Sequence, residues 1–458
     1  MIGNIGLIVG LAALILMALR GVNILVAALV ASLIVAVTNG LGLALTLLEH
    51  FPTGPLGAFT FAGQFFILFL TGAVFGKLMA SSGAAASVAG AIIQWLGVRR
   101  TILVTVLSCA VLTYGGVVLF VVIFTMYPLG IALMREADLP KRIFCGAAAL
   151  GAGTFTMTAL PGTPSIHNVI AASALGTDLF AGVLPGLVAA AVMFALGLWY
   201  LELQWRGARE RDEGYVSNAR DEEMEKLAPD LQDAPAWRLS MLPLLVVLGT
   251  ILVPRLSVAI GLVDAESALV GPLFVFANAQ PIVWPSLALV LGSLVCVACF
   301  SALRGRSLEA MGAGANDSVM PLLNTAAVIG FGGVVAQTQG FAAFAGAIVG
   351  LDLPPLVSVA LSVNVVSGIV GSASGGLQIF MQTLAESYLA MGVEPQVLHR
   401  VATVASGGLD SLPHSGAVIA MLTIMGLKHR EAYRDIFVVT VLIPLLAAVA
   451  AIGVAAWA

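Results

Sequence analysis

The sequence predicts an all-α polytopic membrane protein of two inverted-topology repeats, each with a re-entrant helical hairpin and a broken transmembrane helix. Three observations predict it: too little charge for a water-soluble chain, two halves that match in order, and apolar runs broken by proline and glycine. Of 458 residues, 60% are hydrophobic and 10% charged, against roughly 25% charged in soluble domains. Runs such as 179–201 and 436–456 are continuously apolar and about as long as the ~20 residues a spanning helix needs. A transmembrane β-barrel would show ~10-residue alternating segments instead. The net charge of −4 points to no partner. No basic cluster stands apart from the membrane flanks, so nucleic acid is not an expected partner.

Taking the chain in order, Met1-Ile2-Gly3-Asn4 has no basic stretch, and no small-residue cleavage site follows the first apolar run. Residues 5–19 therefore read as a retained span. Further spans are expected near 22–40, 57–79 and 179–201. The apolar run 101–134 is interrupted at Tyr114-Gly115-Gly116 and flanked by basic residues, which reads as a re-entrant hairpin. The run 142–175 is broken at Leu160-Pro161-Gly162-Thr163-Pro164-Ser165, where two prolines and a glycine end a helix. Segments 83–96 and 340–350 are too short to cross and are expected at the membrane interface.

Residues 202–238 break the apolar pattern with ten acidic and six basic residues. They read as a solvated, partly helical cytoplasmic linker between a first repeat, 1–201, and a second, 239–458. Tyr114-Gly115-Gly116 parallels Val370-Gly371-Ser372, and Leu160–Ser165 parallels Leu412-Pro413-His414-Ser415-Gly416, always in the same order. Such self-similarity reads as a duplication. The second hairpin is then expected at about 356–391 and the second broken helix at about 398–426. Each half would cross five times, so the second would enter from the opposite side. With the linker cytoplasmic and both termini outside, all of the 20 Lys and Arg except Arg255 and Arg400 fall inside, as the positive-inside rule favours.

Irregular backbone is tolerated at membrane depth only where protein or water satisfies it, and half-helix N-termini there can meet an anion. Four breaks should converge. The first offers Thr113, Tyr114, Gly115 and Gly116. The second offers Thr158, Pro161, Gly162, Thr163, Pro164, Ser165, His167 and Asn168. The third offers Gly371, Ser372, Ser374 and Gly375, and the fourth Asp410, Ser411, His414 and Ser415. Hydroxyls, amides and backbone N–H groups suit a small, oxygen-rich organic anion, although Ser and Thr also bond back to their own helices. Asp410, His414 and His167 are candidate proton-coupling residues, since intramembrane ionisable groups mark function by default and histidine titrates near neutrality. A fixed hydrogen-bonding role for His414 stays equally open. Glu386 could be a second proton site or could face water. Asp317 reads as structural near the cytoplasmic interface. His50, His399 and His429 fall in expected loops and are given no role.

Other chemistry is thin. Cys109, Cys145, Cys296 and Cys299 lie in apolar runs, and Cys296-Val-Ala-Cys299 has no second pair or nearby histidine. They read as small buried residues, with no metal or cofactor expected. No HExxH or G-x-S-x-G is present, and 72–78 lacks P-loop spacing. An intramembrane enzyme is therefore a remote alternative, and an ATP-driven pump is not expected.

The segment from Tyr114 through Pro128, with Arg135, Pro140, the Leu160–Ser165 loop, 171–178 and 182–186, resembles the gluconate:proton symporter (GntP) family of the ion transporter superfamily. Gly371-Ser372-Ala373-Ser374 resembles that family's Gly-Ser-Ala-Thr hairpin tip, and 406–416 its late loop. Three positions depart from the pattern: Thr163 stands in place of a loop histidine, Gly162 in place of a proline, and Phe120 where members often carry an acid. The resemblance implies proton symport of a sugar acid such as gluconate, or another hydroxy carboxylate, by alternating access. It also implies a homodimer in the cell's inner membrane. Na⁺ coupling is the alternative, because Ser/Thr-bearing tips and free carbonyls suit Na⁺ and related branches use it.

Overall fold

A computed structural model describes residues 2–226, 234–259 and 271–457. The described residues are helical with no strand. Linker residues 227–233, with Asp230 and Asp233, lie outside the described residues, as do Met1 and Ala458, whose side of the membrane was an expectation. Six helices are long and apolar enough to span a membrane, or up to eight with each bent pair taken as one span.

The first half opens with α1 (Ile2–Leu19) and α2 (Ile24–Thr38). The Asn23 side chain caps α2 by accepting from the Leu25 N–H at 2.9 Å. A long span, α3 (Ala58–Ser81), leads to the short α4 (Ala84–Leu96). The chain then bends by 104° into α5 (Thr101–Tyr114), which stops at Gly115-Gly116. Gly116 has φ 96° and lies against Pro164 and Leu289, so this turn needs glycine twice over. α6 (Leu119–Ala137) returns beside α5. The broken element follows: α7 (Lys141–Gly153), a single turn at Phe155–Thr158, an irregular stretch, and α8 (Ile166–Leu175). α9 (Val183–Glu210) closes the half, and α10 (Ala219–Glu225) lies in the linker.

After α11 (Trp237–Ala259), α12 (Gly271–Ala279) and α13 (Val283–Cys299), the order repeats. A long span, α14 (Ser307–Ala336), precedes a short helix, α15 (Gln339–Val349). A hairpin follows, of α16 (Pro355–Val370) and α17 (Ala373–Thr383). Next come the broken pair α18 (Pro395–Ser406) and α19 (Gly416–Ile424), and a closing span, α20 (His429–Ala455), with a π-turn at Val438–Leu442. The two halves are inverted. α3 and α14 pack antiparallel, because Gly330 meets Ala58 while Gly314 meets Val74 and Lys77. Glycines at both ends of α14 let the backbones approach closely, the usual means of packing apolar helices.

The linker is not simply solvated, as its charge had suggested. Asp221 is fully buried and accepts from Lys141 Nζ at 2.7 Å, from Tyr215 at 2.8 Å and from the Tyr127 hydroxyl. Arg142 forks onto Glu213 at 2.6 and 2.8 Å and also reaches Asp435 at 2.5 Å. Asn218 donates to the Gly426 carbonyl at 3.0 Å. The charged run therefore straps the first hairpin and α7 to the end of α19 and the start of α20.

Candidate functional site

The four breaks meet at a cavity of about 500 Å³. The first hairpin contributes Thr113 and Gly116, and the first broken loop Pro164, Ser165 and His167. The second hairpin contributes Gly371, Ser372 and Ser374, and the second broken loop Asp410, Ser411, His414 and Ser415. Three half-helices start here. Ser165 caps α8, accepting from the Asn168 N–H at 3.4 Å, and Ser372 caps α17, accepting from the Gly375 N–H at 3.2 Å. Ser415 stands at the start of α19. Free N–H groups and the helix dipole make each start favourable for negative charge.

The second hairpin tip and second broken loop are built against each other. Gly371 has φ 62°, and a Cβ there would lie 2.7 Å from the His414 ring. His414 Nε2 donates to the Gly368 carbonyl at 3.1 Å. The Asn364 side chain accepts from the Leu409 N–H at 3.1 Å, and Tyr433 donates to the Ser411 carbonyl at 3.1 Å. His429, read as a loop residue without a role, donates to the Pro413 carbonyl at 2.8 Å and ties the same loop. Asp410 and His414 do not share a helical face. The chain is 3-10 only over Leu409–Ser411 and extended at Leu412, with φ −63° and ψ 164°. Asp410 accepts from Ser411 Oγ at 3.2 Å instead.

Seven expected site residues stand behind the wall rather than in it: Tyr114, Gly115, Pro161, Gly162, Thr163, Asn168 and Gly375. Tyr114 donates to the Pro161 carbonyl at 2.9 Å, and Asn168 Nδ2 to the Thr163 carbonyl at 3.1 Å. Gly162, at φ 81°, donates to the Leu179 carbonyl at 2.9 Å beneath the Phe180 ring. Tyr114, Gly162 and Asn168 thereby shape the first loop, while Gly375 belongs to the second hairpin. Glu386 is exposed and away from the cavity, and Asp317 pairs with Lys77 at 3.1 Å.

Arg400 and His399 correct the expectation most. Arg400 had been counted on the outer side and His399 placed in a loop, yet both are fully buried on α18. Arg400 donates to the carbonyls of Ala181 at 2.9 Å, Ala159 at 3.1 Å and Leu179 at 3.3 Å, and to Asn168 Oδ1 at 3.0 Å. His399 Nε2 donates to the same Asn168 oxygen at 3.2 Å, which leaves Nδ1 to accept from Thr177 at 2.7 Å. Gly182 and Gly186 make room for the arginine, since a Cβ on either would strike its side chain. That Gly-x-x-x-Gly spacing on α9 was the signal available in the sequence.

Phe120 on α6, where the family pattern often carries an acid, lines the cavity, and other lining residues had not been anticipated: Asn23 at the α1–α2 turn, and Pro321, Asn324 and Thr325 on α14. The lining also takes in Ala18, Ile436 and Thr440. Among the described residues no Lys or Arg lines the cavity, and Asp410 is its one carboxyl. Buried oxygens of Thr113, Thr163 and Asn324, and Nδ1 of His167, have no hydrogen-bond partner among the described residues.

Inverted halves of apolar helices, broken where they meet at a polar cavity, define a membrane transporter. The chain belongs to the GntP permease family, whose sequence profile, described as GntP family permease, matches residues 3–409. It is 39% identical over 408 residues to the transporter YxjC of Bacillus subtilis (strain 168), covering 83% of this chain and 84% of that protein. It is 27% identical over 323 residues to the high-affinity gluconate transporter of Escherichia coli (strain K12), covering 69% of this chain and 66% of that one. Two solved structures share the fold. The YdaH transporter of Alcanivorax borkumensis matches at TM-score 0.52 and 15% identity over 87% of each chain. MtrF of Neisseria gonorrhoeae matches at TM-score 0.53 and 13% identity, over 85% of this chain and 80% of that one.

Proposed function

We propose that the protein imports a small hydroxy or sugar acid, gluconate being the type substrate, by proton symport with alternating access. The gluconate transporter among its relatives supports the substrate class. The cavity supports the size, since small-molecule sites run from about 300 to 1,000 Å³. In this reading the carboxylate docks at the starts of α8, α17 and α19, on N–H groups and the hydroxyls of Ser372 and Ser415, while the Ser165 hydroxyl is held by the Met157 carbonyl at 2.7 Å. Thr113 and His167 meet the hydroxyl end.

One observation carries the coupling: the cavity offers an anion a carboxyl, Asp410, and no permanent cation among the described residues. An ionised Asp410 would repel an arriving carboxylate strongly in a low-dielectric site. Protonating Asp410, or charging His414 or His167, removes that penalty. Proton and anion then raise each other's affinity, which is the linkage symport requires.

In this reading the linker is cytoplasmic, both termini face outward, and the protein works as a homodimer in the inner membrane. The ion pairs support the grouping of residues by side, whichever side is cytoplasmic. Lys77–Asp317, Lys141–Asp221 and Arg142–Glu213 each join residues assigned to the inside, and Arg255–Asp178 joins two assigned to the outside.

Labelled gluconate uptake into proteoliposomes tests the proposal. Accumulation should follow an inward proton gradient without Na⁺ and stop with a protonophore. Asp410→Asn should abolish gradient-driven accumulation while sparing exchange. Accumulation that follows a Na⁺ gradient at clamped pH would replace proton coupling with Na⁺ coupling.

A further inference from the structure

We infer that Asn324, on span α14, is a specificity-determining residue whose carboxamide reads a hydroxyl group of the substrate. The inference rests on the substrate class proposed above and names the residue that selects within it. Pro321, Asn324, Thr325 and Val328 all line the cavity. Their spacing of three, four and seven puts them on one face of α14. That face abuts the second hairpin tip, since Val328 stands 3.3 Å from where a Cβ on Gly375 would sit. Asn324 therefore faces the same space as Ser372 and Ser374, but from a helix outside the four breaks.

The chemistry of this wall differs from that of the half-helix starts. Thr325 is already used, since its hydroxyl donates to the Pro321 carbonyl at 3.0 Å. Asn324 Oδ1 is buried with no donor opposite it among the described residues. A buried acceptor without a donor is costly, and a ligand that brings one recovers that cost. Asn324 Nδ2, with no hydrogen-bond partner among the described residues, could donate to a carboxylate or a hydroxyl, but only a hydroxyl, which donates as well as accepts, can satisfy both ends of the carboxamide; a carboxylate leaves the oxygen unpaired. No lysine or arginine on this wall could balance a carboxylate. The substrate is thus oriented with its carboxylate toward the half-helix starts at Ser372 and Ser415 and a hydroxyl toward Asn324. A site built to bond a hydroxyl also rejects analogues that lack one, because its own polar group is then left unpaired.

The test compares gluconate with hexanoate, which has the same carbon count and no hydroxyl, by equilibrium competition on the purified full-length protein. The parent should prefer gluconate. Asn324→Leu should weaken gluconate by a few-fold to about tenfold, the value of one neutral hydrogen bond, and leave hexanoate unchanged or tighter. Asn324→Gln should regain part of the preference. A gluconate-to-hexanoate ratio unchanged in Asn324→Leu, whether both weaken together or neither moves, overturns the inference. A parent that binds neither acid fails before any substitution is made, and that result sinks the proposed substrate class and this inference with it.

Discussion

Arg400 Nη1 and the side-chain oxygen of Asn168 are joined at 3.0 Å, across 232 positions of sequence. The bond fastens the second broken helix to the loop of the first. Asn168 in turn holds the Thr163 and Leu160 carbonyls. A fully buried guanidinium is tolerable only if its N–H groups are satisfied. Here three carbonyls and one amide take four of its five N–H groups, and no carboxylate of the described residues lies within ion-pair distance.

Arg400→Lys keeps the charge but loses the planar fork. With three N–H groups for four acceptors, at least one of them would lose the bond from residue 400, at about 1–3 kcal/mol for a carbonyl left without a donor. The melting temperature of the purified protein should fall by several degrees. An unchanged melting temperature would show that the fork is not what holds the loop.

Gly371→Ala places a methyl group against the His414 ring at a left-handed backbone position. The strain, about 1–3 kcal/mol, must move either the hairpin tip or the broken loop. Uptake should drop sharply while the amount of protein in the membrane stays near that of the parent. Normal uptake would mean that tip and loop need not be in contact.

Ser372→Ala should weaken gluconate binding by a few-fold to about tenfold, as for one lost neutral hydrogen bond, and Ser165→Ala should weaken it less, because the Ser165 hydroxyl already donates to the Met157 carbonyl at 2.7 Å. Thr163→Ala should have a smaller effect, because Thr163 lies behind the wall. Calorimetric titration of the three variants checks this order, and equal losses in all three would contradict it.

The linker strap should be acid-labile. Burial alone would raise the Asp221 carboxyl, but hydrogen bonds from Lys141, Tyr127, the Asn218 N–H and Tyr215 outweigh it and hold it below its ordinary value. The Arg142 fork likewise holds Glu213 low. Groups lowered on folding stabilise fully above their unfolded values, and that stabilisation is lost as pH falls through the lowered ones. Hydrogen exchange at 213–226 should therefore stay slow at pH 7 and rise only below about pH 4. Asp221→Asn should raise it already at pH 7.

The four breaks and most long helices were legible because they are local: proline, glycine and apolar run length write them directly into the sequence; α1 and α2, read as spans, are shorter than a full span, and α6, read as a hairpin arm, is long enough to be one. Arg400 and His399 were not. A charged residue near a helix start reads as exposed, since burial is costly, and the acceptors that remove that cost lie 219 to 241 positions away. Asp221 was hidden among other acids for the same reason. Asn324 was missed because α14 shows no break in its helix, although a proline and two polar residues within an apolar span were the available signal.

The position of Arg400 also sets an order of assembly. Synthesis runs from the N-terminus, so the whole first half is in the membrane before α18 exists. The Ala159, Leu179 and Ala181 carbonyls and Asn168 then wait for a donor more than 200 residues downstream. The linker waits for much less, because Tyr127 and Lys141 are already present when Asp221 leaves the ribosome. The first-half part of the strap can dock while the second half is still being made, whereas its ties to Gly426 and Asp435, like the first broken loop, stay unfinished until the second half is inserted. The first half expressed alone should therefore be recognised by membrane quality control as immature, and co-expression of the second half as a separate chain should rescue it.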